Sequence, residues 1–210
     1  MAINNIIFDL GGVILDLGFD KMVKRFEELG ISNFEQYFNP KTANDLFYRQ
    51  EIGEISDQEF FDGFRKLTSS NLTNSKIENA WNLMLTDFVP ERMNVLDKLS
   101  EDYYVALFSN TNAIHARRFE ENCLLDFDRS LTSYFHKIYY SHNLHLRKPD
   151  VEAFEKVLKL SHLRADETLF IDDNADNIAG AEAAGLRAYH LTNGEQITDL
   201  DFDKLVNSYD

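Results

Sequence analysis

The chain has 210 residues, 44% of them hydrophobic and 27% charged, the balance of a soluble globular protein long enough to bury a substantial core. With 36 acidic against 21 basic residues the formal charge is −15, and no basic patch offsets it, which excludes nucleic acid as a partner. The single Cys123 excludes an internal disulfide and a cysteine zinc site, and Asp9 interrupts the first apolar run before membrane length, so a cytoplasmic protein with no membrane partner is expected.

The first element is Asn5–Leu15, NIIFDLGGVIL, an apolar run that ends in Asp9 and is followed by Gly11 and Gly12. A carboxylate at the end of a buried strand, with flexible backbone just beyond, presents a reactive group at a sheet edge, and Asp9 is a candidate nucleophile. Taken alone, FDLGG reads more readily as a structural strand end than as a catalytic one. Phe19–Leu29 has apolar residues at helical spacing. Ser32 with Glu35, and Ser56 with Glu59, fit capping boxes at helix starts. Ala43–Arg49, Glu59–Leu67 and Lys76–Leu85 continue as helices, so residues 17–87 read as a small all-helical bundle. Pro90 opens a further helix, and Tyr104–Phe108 is a strand ending in Ser109 and Asn110. His136–Tyr140 is another strand, Pro149 begins a helix through Phe154 and Leu158, and Thr168–Ile171 runs into Asp172 and Asp173. An alanine-rich helix ends near Gly185, and Ala188–Leu191 is the last strand.

Strands alternating with helices predict an α/β fold, a doubly wound (Rossmann-like) parallel sheet, with an inserted helical-bundle cap. Residues 1–16 and 88–210 form the expected core domain and residues 17–87 the expected cap. The polar groups at the carboxyl ends of the strands should then share one crevice.

Their chemistry meets the needs of phosphoryl transfer. Asp9 can attack phosphorus and form an aspartyl phosphate, splitting one displacement into two. Ser109 and neighbouring amides can bind phosphoryl oxygens, and Lys148 can neutralise charge between nucleophile and phosphate. A hard cation such as Mg²⁺ suits Asp9, the Gly11 carbonyl, Asp172 and Asp173.

FDLGGVI, LFSNTN, RKPD and FIDDNADN, in this order with a helical block after the first, resemble the four motifs of the haloacid dehalogenase superfamily. Within it the chain is similar to sugar phosphatases of the α-D-glucose-1-phosphate phosphatase type and, more distantly, to the N-terminal phosphatase domain of epoxide hydrolases; Gly53–Ser56, GEIS, belongs to the likeness. The resemblance implies Asp9 as nucleophile, Ser109 and Asn110 as phosphate binders and Lys148 as bridging cation. It implies Asp173 as direct Mg²⁺ ligand, Asp172 on the metal or one water away, and Asp176 orienting Lys148 or a metal water. Asn177 reads as a helix-start residue. Many members place a second Asp two positions after the nucleophile as general acid; here that position is Gly11. Loss of such a group forfeits typically about 10²–10⁴ in rate. The substrate should therefore be a phosphate with a stable leaving oxygen, such as a sugar 1-phosphate.

Among the other candidates, Asp16 reads as a turn or cap residue rather than the missing acid. His136, His142 and His145 lack the spacing of a helical ligand pair, and a histidine metal site is not expected. His115 reads as a solvated helix position. Arg49 and Glu51 either face the crevice and read substrate hydroxyls or form surface ion pairs. Phe34, Phe38, Phe47, Phe60, Phe61 and Phe64 read as cap core, and the acidic stretch Asp199–Asp203 as a solvated end. The expected function is a Mg²⁺-dependent phosphatase of a small phosphate ester, glucose 1-phosphate for example, with no obligatory protein partner. A metal-independent 2-haloacid dehalogenase and a non-catalytic phospho-ligand-binding regulator are the alternatives.

Overall fold

A computed structural model describes residues 2–38 and 44–209. Its elements run β1 (Asn5–Phe8), β2 (Leu15–Leu17), α1 (Phe19–Glu28), α2 (Asp45–Glu51), α3 (Asp57–Thr68), α4 (Asn74–Trp81), β3 (Leu85–Phe88), α5 (Pro90–Asp102), β4 (Tyr104–Ser109) and α6 (Ala113–Phe127). They continue with β5 (Lys137–Tyr140), α7 (Ser141–Leu144), α8 (Val151–Ser161), β6 (Thr168–Asp172), α9 (Ala175–Ala183), β7 (Arg187–His190) and α10 (Phe202–Asn207). None of the helices is long and apolar enough to cross a membrane, among the described residues.

Five strands form one parallel sheet in the order β5-β4-β1-β6-β7. Both faces are apolar because helices cover both, which is why the central strands read as continuous hydrophobic runs. In β1, Ile6 and Phe8 pack into one core with Val105, Leu107, Leu169 and Ile171, while Ile7 faces the other way, with Ala106, Phe108 and Phe170. The chain builds outward from β1 through β4 to β5, then returns to add β6 and β7 on the opposite side. That reversal opens a crevice between the carboxyl ends of β1 and β6. The register pairs Phe8 with Ile171, so Asp9 and Asp172 leave the sheet side by side.

The helices α1–α4 hold a separate aromatic cluster. Phe26, Phe34, Phe38, Phe47, Phe60, Phe61, Phe64 and Trp81 are buried together, joined by Ile114 from α6. Phe26 stacks on Phe34 at 4.3 Å, and Trp81 meets Phe38 edge-on at 4.8 Å. Such pairs add roughly 0.5–1.5 kcal/mol each beyond burial.

Several local expectations change. The Ser56 box forms, with Glu59 accepting from the Ser56 amide at 2.8 Å. The Ser32 box does not: Asn33, with φ 54°, leads into a single 3₁₀ turn whose Phe34 inserts into the aromatic cluster. Helix α2 begins at Asp45 with Asn44 as its cap, and Ala43 lies outside the described residues. The predicted helix through Leu85 stops at Trp81, because Leu85–Phe88 pairs antiparallel with Leu15–Leu17. Asp16 therefore sits in a strand rather than a turn, 2.7 Å from the buried Arg92 guanidinium. Helix α8 starts after Asp150 and not at Pro149, whose carbonyl lies against Gly180 of α9. The acidic stretch keeps exposed carboxylates, but Phe202 within it packs on Phe8 with ring centres 6.2 Å apart.

Candidate functional site

Asp9 follows β1 directly, and its amide donates to the Ile171 carbonyl at 2.9 Å, which ties the candidate nucleophile to β6. The chain then turns sharply, with the Ile14 and Leu15 amides both donating to Leu10 O at 2.9 Å. Gly12 has φ +78°, and a Cβ there would lie 2.2 Å from Asp173 Oδ2. Only glycine allows this turn and the Asp173 carboxylate to occupy adjacent space. At Gly11 a Cβ would sit 3.1 Å from Leu17 Cδ1, so the β2–β3 ribbon covers the place of the absent acid with a leucine methyl.

Lys148 is the hub. Its side chain is 1% exposed, and Nζ donates to Asp9 Oδ1 at 2.6 Å and to Asp172 Oδ2 at 2.8 Å. Burial opposes the ammonium charge, yet Asp172 and Asp9 together hold the Lys148 pKa above its usual value. Burial pushes Asp9 up to about 7, against the pull of Lys148 and with a further push from Asp172. Burial and the Asp172 charge also raise Asp173. The Asp172 carboxylate is fixed from three sides: Oδ1 accepts from the Asn174 amide at 2.8 Å, and Oδ2 accepts from Lys148 and from Asn177 Nδ2 at 2.9 Å.

One carboxylate oxygen each from Asp9, Asp172 and Asp173 lie within 4.8 Å of one another. Three carboxylates share this space with one ammonium, an excess of negative charge that a divalent cation would balance. The donors are all hard oxygens, which fits Mg²⁺.

Ser109 ends β4, buried at the rim of the crevice. Asn110 grips the main chain of Lys148. Its Nδ2 donates to the Lys148 carbonyl at 2.8 Å and its Oδ1 accepts the Lys148 amide at 2.9 Å. The side chain thus holds the Lys148 backbone in place. Asp176 is exposed on the first turn of α9, and the Lys148 ammonium is bonded to Asp9 and Asp172 instead. Asn177, one residue on in the same first turn of α9, faces inward, and its Nδ2 donates to Asp172.

His115 is buried, not solvated. It stacks on Trp81 at 4.8 Å, its Nε2 donates to the Trp81 carbonyl at 3.1 Å, and burial lowers its pKa to about 4. His136 Nδ1 accepts the Val105 amide, while His142 and His145 donate to the Thr111 and Ile52 carbonyls. These three partners differ, and the three rings do not converge on a metal site. Arg49 pairs at the surface with Glu54 and Asp45, whereas Glu51 turns inward, 3.3 Å from Arg147 Nε. Burial raises the Glu51 pKa, against the charges of Arg147 and Lys148.

A parallel α/β sheet with a carboxylate pair and a lysine at its crossover crevice defines the class. Residues 6–190 match the haloacid dehalogenase-like hydrolase family, and the chain belongs to that family. A D-ribitol-5-phosphate phosphatase of Bacteroides thetaiotaomicron is 31% identical over 195 residues, covering 91% of this chain and 93% of the relative. A sesquiterpene phosphatase of Aspergillus oryzae is 30% identical over 195 residues, covering 89% and 88%. The crystal structure of a haloacid dehalogenase family enzyme from B. thetaiotaomicron, in complex with magnesium and inorganic phosphate, superposes with a TM-score of 0.85 at 34% identity, covering 92% of this chain and 96% of that one. A 2-haloacid dehalogenase of Pseudomonas syringae, 16% identical with a TM-score of 0.60 over 98% of each chain, shares the fold.

Proposed function

We propose that the protein is a Mg²⁺-dependent phosphatase of small, hydroxyl-rich phosphate monoesters, acting through an aspartyl phosphate on Asp9. The observation that carries this reading is the buried Lys148 ammonium held between Asp9 and Asp172, with Asp173 alongside. The likeness to a ribitol-phosphate phosphatase and to a magnesium–phosphate complex supports it.

Lys148 keeps Asp9 Oδ1 occupied, which orients the carboxylate and leaves its second oxygen to bond to phosphorus while the ester P–O bond breaks. The same ammonium offsets charge on the phosphoryl group, and Ser109 with the amides after β4 binds its oxygens. Asp9, the Gly11 carbonyl, Asp172 and Asp173 would hold Mg²⁺, which when bound neutralises the incoming phosphate. Water then cleaves the acyl phosphate and restores Asp9. Residues 17–87 act as a cap over a core of 1–16 and 88–210, excluding bulk water.

With glycine at position 11 the departing oxygen must tolerate negative charge, which favours an anomeric phosphate such as glucose 1-phosphate over glucose 6-phosphate. Three clustered carboxylates disfavour a metal-free dehalogenase. The test is phosphate release from glucose 1-phosphate, glucose 6-phosphate and D-ribitol 5-phosphate, with Mg²⁺ and with a chelator, using Asp9→Asn as control. Turnover is expected with Mg²⁺ and is abolished by the chelator and by Asp9→Asn. Equal turnover by Asp9→Asn removes the nucleophile, and equal rates on the two glucose phosphates remove the leaving-group argument.

A further inference from the structure

The seam between α2, the end of α4 and the start of α6 holds buried polar groups without partners. Gln50 is 3% exposed and Asn82 8% exposed, and neither amide, oxygen or nitrogen, finds a hydrogen bond among the described residues. Trp81 Nε1, on a residue 2% exposed, and Glu51 Oε1 are in the same condition. Arg147 Nε approaches that Glu51 oxygen at 3.3 Å but donates to the Lys148 carbonyl. Buried polar groups are almost always paired, because an unpaired one forfeits its hydration for nothing. A cluster of them within one seam points to a ligand.

Their place is fixed by their neighbours. The Glu51 carbonyl lies 2.7 Å from Ser141 Oγ, which also accepts the amide of Thr111, two residues past Ser109. Phe47, one turn before Gln50 on α2, has its ring 5.3 Å from Trp81. Trp81 stacks on His115, whose Nδ1 lies 3.2 Å from Asn112 Nδ2, and Asn82 follows Trp81. Glu51 therefore lies beside Arg147, the residue before Lys148, and the elements that carry Gln50 and Asn82 adjoin the segment Thr111–His115 that follows β4.

We infer that Gln50, Asn82 and Glu51 are specificity-determining residues that read hydroxyl groups on the substrate's leaving group. The inference rests on the phosphatase reading for the reaction, and it names the substrate class. A hydroxyl both donates and accepts, and a primary amide offers both a donor and an acceptor; the Glu51 carboxylate adds acceptors and Trp81 a donor. A polyol satisfies this set. A terpenyl or other apolar chain would seal every one of these groups away from any partner, so the seam selects against it.

Gln50→Leu and Asn82→Leu test this, through the ratio of kcat/KM on D-ribitol 5-phosphate or glucose 1-phosphate to kcat/KM on phenyl phosphate, which has no hydroxyl on its leaving group. Each variant should lower that ratio about tenfold or more, and without ligand each should melt at or above the parent temperature, since an unpaired polar group has become apolar. A ratio that stays within about threefold of the parent, or a melting temperature well below it, overturns the assignment. If the parent releases phosphate from no ester, the phosphatase reading falls and binding decides the seam. D-ribitol 5-phosphate should then raise the melting temperature of the parent and not of the two variants, and an equal rise in all three overturns it.

Discussion

Replacing Lys148 with methionine removes the one cation between two buried carboxylates while keeping most of the side-chain volume. Nζ lies 2.6 Å from Asp9 and 2.8 Å from Asp172, at 1% exposure, so solvent does little to screen the loss. Deleting one partner of such a pair costs about 3–5 kcal/mol, because the remaining charges stay buried without compensation. The penalty depends on pH in a definite direction. Asp9 already titrates near 7 when folded, above its value in an unfolded chain, and loss of Lys148 raises it further. The folded variant then holds a proton that the unfolded chain releases from about pH 4 upward, so stability falls as pH rises. Urea denaturation of Lys148→Met and the parent should differ by several kcal/mol at pH 8 and by less at pH 5, and Mg²⁺ should narrow the gap at pH 8 because the folded variant, with one cation fewer among its carboxylates, binds it more tightly than the folded parent does. Phosphate release should fall by at least 10². A variant within about 1 kcal/mol of the parent at pH 8, or a gap that is flat with pH, would refute the electrostatic account.

Two further outcomes follow from the geometry around this centre. His115 titrates near 4 when folded against about 6.5 when unfolded, so the unfolded chain takes the proton first and stability is lost as pH falls from 6.5 toward 4; the upper limit is about 3 kcal/mol. Urea melts of the parent against His115→Gln should show their difference changing across that window, and a constant difference contradicts the burial argument. Gly12→Ala combines a positive φ, worth about 1–2 kcal/mol for an L-residue, with a Cβ 2.2 Å from Asp173 Oδ2. Calorimetric Mg²⁺ affinity should drop while the far-ultraviolet spectrum is kept; undiminished affinity would remove Asp173 from the metal.

Much of the fold was legible because the determining signals are local and periodic. Ile6–Phe8, Val105–Phe108 and Leu169–Ile171 are apolar on both faces, which only a covered parallel sheet satisfies. The cap phenylalanines repeat at helical spacing and do form one cluster. The β2–β3 ribbon was not legible, since Leu85–Phe88 is four residues of ordinary composition whose strand character comes from a partner strand, Leu15–Leu17, far away in the sequence. Ser32 failed as a cap because burial of Phe34 outweighed a hydrogen bond worth roughly 1 kcal/mol.

The candidate site divides in the same way. The sequence by itself determined which residues stand at the carboxyl ends of strands, and so brought Asp9, Ser109, Asp172 and Asp173 to one crevice. Only the tertiary structure decided how the remaining polar groups are distributed. Asn110 holds the Lys148 backbone, Asn177 holds Asp172, and Arg49 and Glu51 part company, one to solvent and one to the seam. The physical reason is range. Strand ends follow from patterns a few residues long, whereas the partner of a buried amide or carboxylate is set by side chains that arrive from 38 or 96 positions away.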